Sequence, residues 1–190
     1  HLSIRRQRQM CIRDSIMAYV ITRAVANAGK VKDGTLTIDE ACRIPLGHSM
    51  NHFLQAIGVP TRANGGRRGN LTILREQLLR LAGSMITVKS DDGVHARGRN
   101  TQIMEEWDLW FDSRDPNQGS FIESYLKLPP QFFKHIAESP IPIDLNFLRE
   151  LNKPRSMDIY IWLTVKQYWL AKNNRDAYTL SLIHISEPTR

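Results

Sequence analysis

The sequence predicts an α+β chain built as two units of related plan. Three observations carry this. Apolar runs of helical length alternate with short β-rich runs. A basic helix sits directly before the most strand-like part of the chain. Pro140 and Pro142 then interrupt the pattern, and a second long apolar helix follows them.

The elements follow in order. Residues 16–28 (IMAYVITRAVANA) are apolar at most positions, which predicts a buried helix stopped by Gly29. Residues 35–38 (TLTI) form a short strand after the Asp33-Gly34 turn. Residues 46–57 form a helix with Ser49 as N-cap and Phe53, Leu54 and Ile57 on one face; Gly58 and Pro60 end it. The stretch 61–81, TRANGGRRGNLTILREQLLRL, opens as a glycine- and arginine-rich turn. It continues as a helix to residue 82, with Leu71, Leu74, Leu78 and Leu81 on one face. Residues 85–90 are strand-like, and Asp91-Asp92-Gly93 is a hairpin-type turn. Residues 103–111 (IMEEWDLWF) make a second strand, 115–119 (DPNQG) a loop and 121–128 (FIESYLKL) a third strand. Residues 129–137 make a helix with prolines at its first positions. Helix, short strand, helix, turn, basic helix and β-hairpin is the winged-helix order, with a large wing from about residue 85 to 128. Trp107, Trp110, Trp162 and Trp169 lie within apolar strands or helices and are expected in the core.

A second unit begins near Ser139. Residues 144–151 form a helix with Asp144 as N-cap. Lys153-Pro154 breaks it, and Ser156 caps a long apolar helix over 157–172. That helix faintly echoes the first one: Ala18-Tyr19-Val20 aligns with Ile161-Trp162-Leu163. The expected division is a complete winged helix over 16–138 and the start of a second over 139–179, truncated after its first helices. Residues 1–15 and 180–190 are set apart. The pieces RQRQMCIRDS and SLIHISEPTR resemble translated sequencing-adapter sequence, which is expected to be non-native.

Composition excludes several classes. No apolar run approaches the ~20 residues of a membrane helix, so no membrane partner is expected. Outside 1–15 the one cysteine is Cys42, too few for an internal disulfide and in keeping with a reducing cytoplasm. His48 and His52 stand four apart, but Ser, Met and Asn separate them rather than a Glu beside the first His, so no metal site is expected. Gly65-Gly66-Arg67-Arg68-Gly69 lacks the GK[ST] ending of a phosphate loop, and no nucleophile-elbow motif occurs. A non-enzymatic protein without cofactors is expected.

Binding remains. The net charge is +7; residues 1–15 hold four Arg and one Asp, so 16–179 keeps +4. Arg62, Arg67 and Arg68 are assigned to phosphates, at a helix start whose backbone amides also favour anions. Asn70, Thr72, Arg75 and Glu76 are candidates for base edges, with Arg80 near the same outer face. Lys89, Arg97 and Arg99 flank the first turn of the wing and suit duplex DNA. Glu105, Glu106, Asp108 and Asp112 form a solvated or partner-facing edge. The competing reading is an amphipathic helix whose basic face is only solvated.

Three stretches resemble the plasmid-encoded RepA-type replication initiators: GGRRGNLTILREQLLRL with its following strand, EEWDLWFDSRDPNQGSFIESYLKLPPQFFKHIAESPIPIDLNFLREL, and NKPRSMDIYIWLTVKQYWL. Together they span about residues 16–172. The resemblance implies a bacterial, cytoplasmic initiator of tandem winged-helix type. Such a protein binds repeated sites (iterons) in double-stranded DNA at a plasmid origin and helps open the duplex. It recruits host helicase and replication proteins, and it represses its own synthesis, often as a homodimer. It has no catalytic site. A winged-helix transcription regulator and a protein-interaction module with no DNA role are the alternatives.

Overall fold

The computed structural model describes residues 2–59, 69–91, 96–110, 121–138, 140–141, 143–151 and 153–177. One long helix, α1 (Leu2–Lys32), packs against α2 (Ile38–Cys42), β1 (Arg43–Gly47), α4 (Asn70–Ala82), α5 (Pro130–Glu138), α6 (Leu145–Glu150) and α7 (Pro154–Lys172). Ile12, Ile16, Tyr19, Val20, Ala24 and Ala28 recur at helical spacing and are buried along one stripe. Ala18 is buried in a second, smaller cluster with Leu148 and Met157. α1 is therefore the wall that both buried clusters share. It overruns both expected ends. It includes residues 2–15 of the segment set apart as 1–15, and Gly29 does not stop it. Gly29 stays helical, and the Asp33 amide still donates to its carbonyl at 3.0 Å. The stop comes at Gly34, whose φ of +72° closes the turn.

Residues 35–38 are not a strand. They lead into a short helix, α2 (Ile38–Cys42), started by a capping box. The Glu40 amide donates to the Thr37 hydroxyl at 3.3 Å, and the Thr37 amide donates back to the Glu40 carboxylate at 2.9 Å. Two satisfied amides outweigh the β preference of two threonines. The strand lies one step later, as β1 (Arg43–Gly47), with Ile44 and Leu46 inward. The expected helix over 46–57 is accordingly shorter: α3 (Met50–Ala56) has Ser49 at its N-cap position, without a side-chain capping bond. Gly58 ends it at φ +76°.

The basic helix forms as α4 (Asn70–Ala82), between Gly69 and Gly83. Strand β2 (Met85–Asp91) matches expectation, but its partner is β3 (Ala96–Gln102), a strand of seven residues, ARGRNTQ. The apolar run at 103–111 is not that partner. Ile103 and Met104 are buried where the chain leaves the hairpin, and among the described residues of that run only β4 (Glu106–Asp108) is strand. The third strand is β5 (Ser124–Lys127), shorter than 121–128, with Phe121 and Ile122 exposed before it.

The expected single large wing is two structures. β2 and β3 pair as a separate antiparallel hairpin. β5 pairs antiparallel with β1 on one side and β4 on the other. A distant strand, β1, thus closes the sheet. Glu105, Glu106 and Asp108 lie on its exposed β4 side. The Tyr125 hydroxyl donates to the Glu106 carboxylate, which pushes the phenol pKa up.

Helix α5 (Pro130–Glu138) follows as expected. In α6 (Leu145–Glu150) the Asp144 carboxylate caps the helix, accepting from the Asn146 and Phe147 amides at 2.8 and 3.3 Å. The last helix, α7 (Pro154–Lys172), begins earlier than expected. Lys153 occupies the cap position and Pro154 the first turn, so Ser156 is inside the helix rather than its cap. α7 meets α1 through Met157. Its far side leaves Ile159, Trp162, Leu163 and Trp169 exposed. The four tryptophans are not core: Trp107, Trp110, Trp162 and Trp169 are 38–46% exposed. Their apolar neighbours in sequence do not face the same way, because β4 is an edge strand and α7 is covered on one side only.

Candidate nucleic-acid interface

α4 is amphipathic in a way that fixes which side it can offer. Ile73, Leu74, Gln77, Leu78, Leu81 and Ala82 are buried, mostly against α1 and α3. Leu71, from the expected leucine stripe, is only half-buried; Ile73 and Gln77 take part of that face instead. Thr72, Arg75, Leu79 and Arg80 are exposed, and Glu76 is half-buried. Arg80 Nη2 and Glu76 Oε1 form an ion pair at 2.6 Å, one helical turn apart. Asn70, expected at a base edge, lies buried in the first turn. The first turn carries no acidic residue, so nothing there offsets the positive end of the helix dipole. Arg62, Arg67 and Arg68, the expected phosphate contacts, fall outside the described residues, as does the tip of the hairpin at 92–95.

The hairpin springs from the end of α4. The Ser84 hydroxyl donates to the Arg80 carbonyl at 2.6 Å, and the Ile103 amide donates to the Ser84 carbonyl at 3.2 Å, tying both legs to the helix C-terminus. In its register Lys89 stands opposite Gly98, Arg97 opposite Ser90 and Arg99 opposite Val88. The three basic residues are thus within two rungs of one another. Thr87 and Asn100 meet across the next rung at 2.9 Å, Oγ1 to Oδ1. The sequence signal for β3 was present as three of these basic or amide residues, yet its polarity hid it from a search for apolar alternation.

One buried group on α4 is anomalous. Gln77 is 3% exposed, and its Nε2 has no hydrogen-bond partner among the described residues. An unpaired buried amide of this kind costs about 1–3 kcal/mol. Among the described residues no group of three His, Cys, Asp or Glu side chains could hold a metal ion. No helix among the described residues is long and apolar enough to cross a membrane.

The family model described as "Plasmid encoded RepA protein" matches residues 13–183. The chain belongs to the plasmid-encoded RepA family. The match runs from Arg13 in α1 to beyond α7, so all of both packed clusters of this RepA-type plasmid replication protein except Cys11 and Ile12 lies within it. No curated protein and no solved structure matches the chain.

Proposed function

We propose that this RepA-family chain is a replication initiator that binds repeated sites in double-stranded DNA at a plasmid origin, through α4 and the β2–β3 hairpin. The observation that carries the proposal is their junction. A helix with Thr72, Arg75 and Arg80 on its exposed side runs directly into a hairpin bearing Lys89, Arg97 and Arg99. The order α1, α2, β1, α3, α4, β2, β3 supports a winged-helix reading with α4 in the reading position. In this proposal Arg75 and Thr72 meet base edges. Glu76 and Arg80, already paired, frame them. Arg62, Arg67, Arg68 and the hairpin cations hold phosphates. Tandem winged units, helicase recruitment, repression of the chain's own gene and a homodimeric form belong to the same reading.

The test is a salt titration of duplex binding. Affinity falls steeply with salt, and replacing Arg67 and Arg68 by Ala weakens all sequences alike while lowering the log–log slope by about two units at most. Absence of duplex affinity at low salt refutes the reading. An origin assay separates an initiator from a transcription regulator, and direct repeats beside the gene favour the initiator.

A further inference from the structure

α6 sits between α7 and the end of α3, and one residue makes the bridge. The Arg149 guanidinium donates through Nη2 to the Ala56 carbonyl, at the last residue of α3. Its Nη1 donates to the Asn146 side chain at 3.1 Å, which fixes the fork. A cation on a terminal carbonyl also meets the negative end of the α3 dipole. The stem of the same side chain lies flat on Gly58. A Cβ at Gly58 would stand 2.5 Å from Arg149 Cγ and 2.8 Å from its Cβ. Gly58 is therefore required twice, by its φ of +76° and by this approach. The joint is closely filled. The cavity among Ser15, Tyr19, Ile57, Leu145, Leu148 and Arg149 is ≈ 10 Å³, too small for more than about one water.

α6 is itself held rigidly. Asp144 caps it, the Tyr160 hydroxyl of α7 accepts from the Asp144 amide at 2.9 Å, and Phe147 meets the Tyr160 ring at 4.9 Å between centroids. The segment that Arg149 grips, 56–59, is the start of the connection to α4. Its amides turn back on α3: Gly58 to the Gln55 carbonyl at 3.0 Å and Val59 to the Leu54 carbonyl at 2.8 Å.

We propose that Arg149 is a positioning residue: by clamping Ala56 and Gly58 it fixes the departure of the α3–α4 connection and so couples docking of α6 and α7 to the presentation of α4. Its relevance to DNA rests on the function proposed above; the clamp itself does not. Arg149 acts on the backbone of the turn and carries no phosphate.

The experiment uses the full chain and the variants Arg149→Ala, Arg149→Lys and Gly58→Ala, with amide hydrogen exchange and duplex binding across a salt series. In Arg149→Ala, exchange at Ile57, Gly58 and Val59 rises about ten- to a hundredfold, the range that loss of a charged hydrogen bond produces. Leu74 and Val20 stay protected. Arg149→Lys recovers part of the protection, and Gly58→Ala opens the same three amides from the other side of the contact. Duplex affinity falls in Arg149→Ala with the log–log salt slope unchanged. Wild-type exchange at 57–59 in Arg149→Ala overturns the proposal, as does a uniform rise across the whole chain. A slope lowered by about one unit overturns it too, since it makes Arg149 a phosphate contact. A wild-type chain with no duplex affinity refutes the DNA reading instead, and the exchange measurements still decide the clamp.

Discussion

Leu74 and Leu79 are the same residue on the same helix, five positions apart, and the structure gives them opposite environments. Leu74 is 0% exposed and Leu79 is 45% exposed. Truncating each to Ala therefore tests how α4 is rotated, and with it which side chains face a ligand. For Leu74, the three carbons removed forfeit about 2.4 kcal/mol of transfer free energy at ~0.8 kcal/mol per carbon. The cavity left in the buried cluster that holds Leu74 raises the total to roughly 3 kcal/mol, within the ~2–5 kcal/mol span of such changes. At about 2–4 °C per kcal/mol for a chain of this size, the melting temperature falls by roughly 6–12 °C. Leu79→Ala stays within about 0.5 kcal/mol of wild type, since a surface truncation gives up little burial and Ala favours the helix. Thermal unfolding followed by circular dichroism, with a urea titration as a check, reads both. Equal losses, or a larger loss at Leu79, would mean that α4 is turned differently. The side carrying Thr72, Arg75 and Arg80 would then not be the exposed side, and the proposed DNA contact through it would fail.

Gln77→Leu removes the unpaired buried amide while keeping most of the side-chain volume, and is expected to stabilise the chain by about 1 kcal/mol; a loss of stability in the same urea titration shows that the amide is satisfied. Arg75→Ala should relax sequence preference and weaken specific binding by about 1–3 kcal/mol if the guanidinium meets a base edge, with selection from a randomised duplex pool as the readout. Retained preference with a uniform loss assigns Arg75 to phosphate. The capping box gives a pH dependence. Hydrogen bonds from the Thr37 hydroxyl and then the Thr37 amide lower the Glu40 pKa below its usual value of 4.5. A carboxylate lowered on folding contributes stability that is present above its unfolded pKa and lost as pH falls through its folded one. Thr37→Ala should thus be less stable than wild type at neutral pH, with the gap closing as pH drops below 4.5; a gap of constant size across that range contradicts the pairing.

What could be read from the sequence was local. The leucine spacing of α4 needs only the helical repeat, and Leu74, Leu78 and Leu81 do face the core. Asp144 caps α6 by bonds to amides two and three residues on, so its role is written in adjacent residues. The Thr37-x-x-Glu40 box was equally local; the β preference of Thr35 and Thr37 obscured it. The basic residues of 61–81 were visible by count, while their arrangement, beyond the exposed Arg75 and the Arg80–Glu76 pair, was not.

The tertiary structure decided the rest. Strand β3 is a strand because β2 lies beside it, and a polar run pairs as well as an apolar one when the ladder bonds are made by the backbone. β1 is a strand because β5, some eighty residues later by count of the sequence, returns to it. The tryptophans are exposed because exposure depends on which face of an edge strand or helix finds a neighbour, and the two apolar segments that carry them cannot say that by themselves. Arg149 reaches Ala56 across 93 residues of chain, a contact with no periodicity or spacing to announce it. Periodicity and capping are set by bonds within a few residues, so sequence alone determined them. Pairing, facing and clamping are set by which distant surfaces meet, and only the folded chain contains that information.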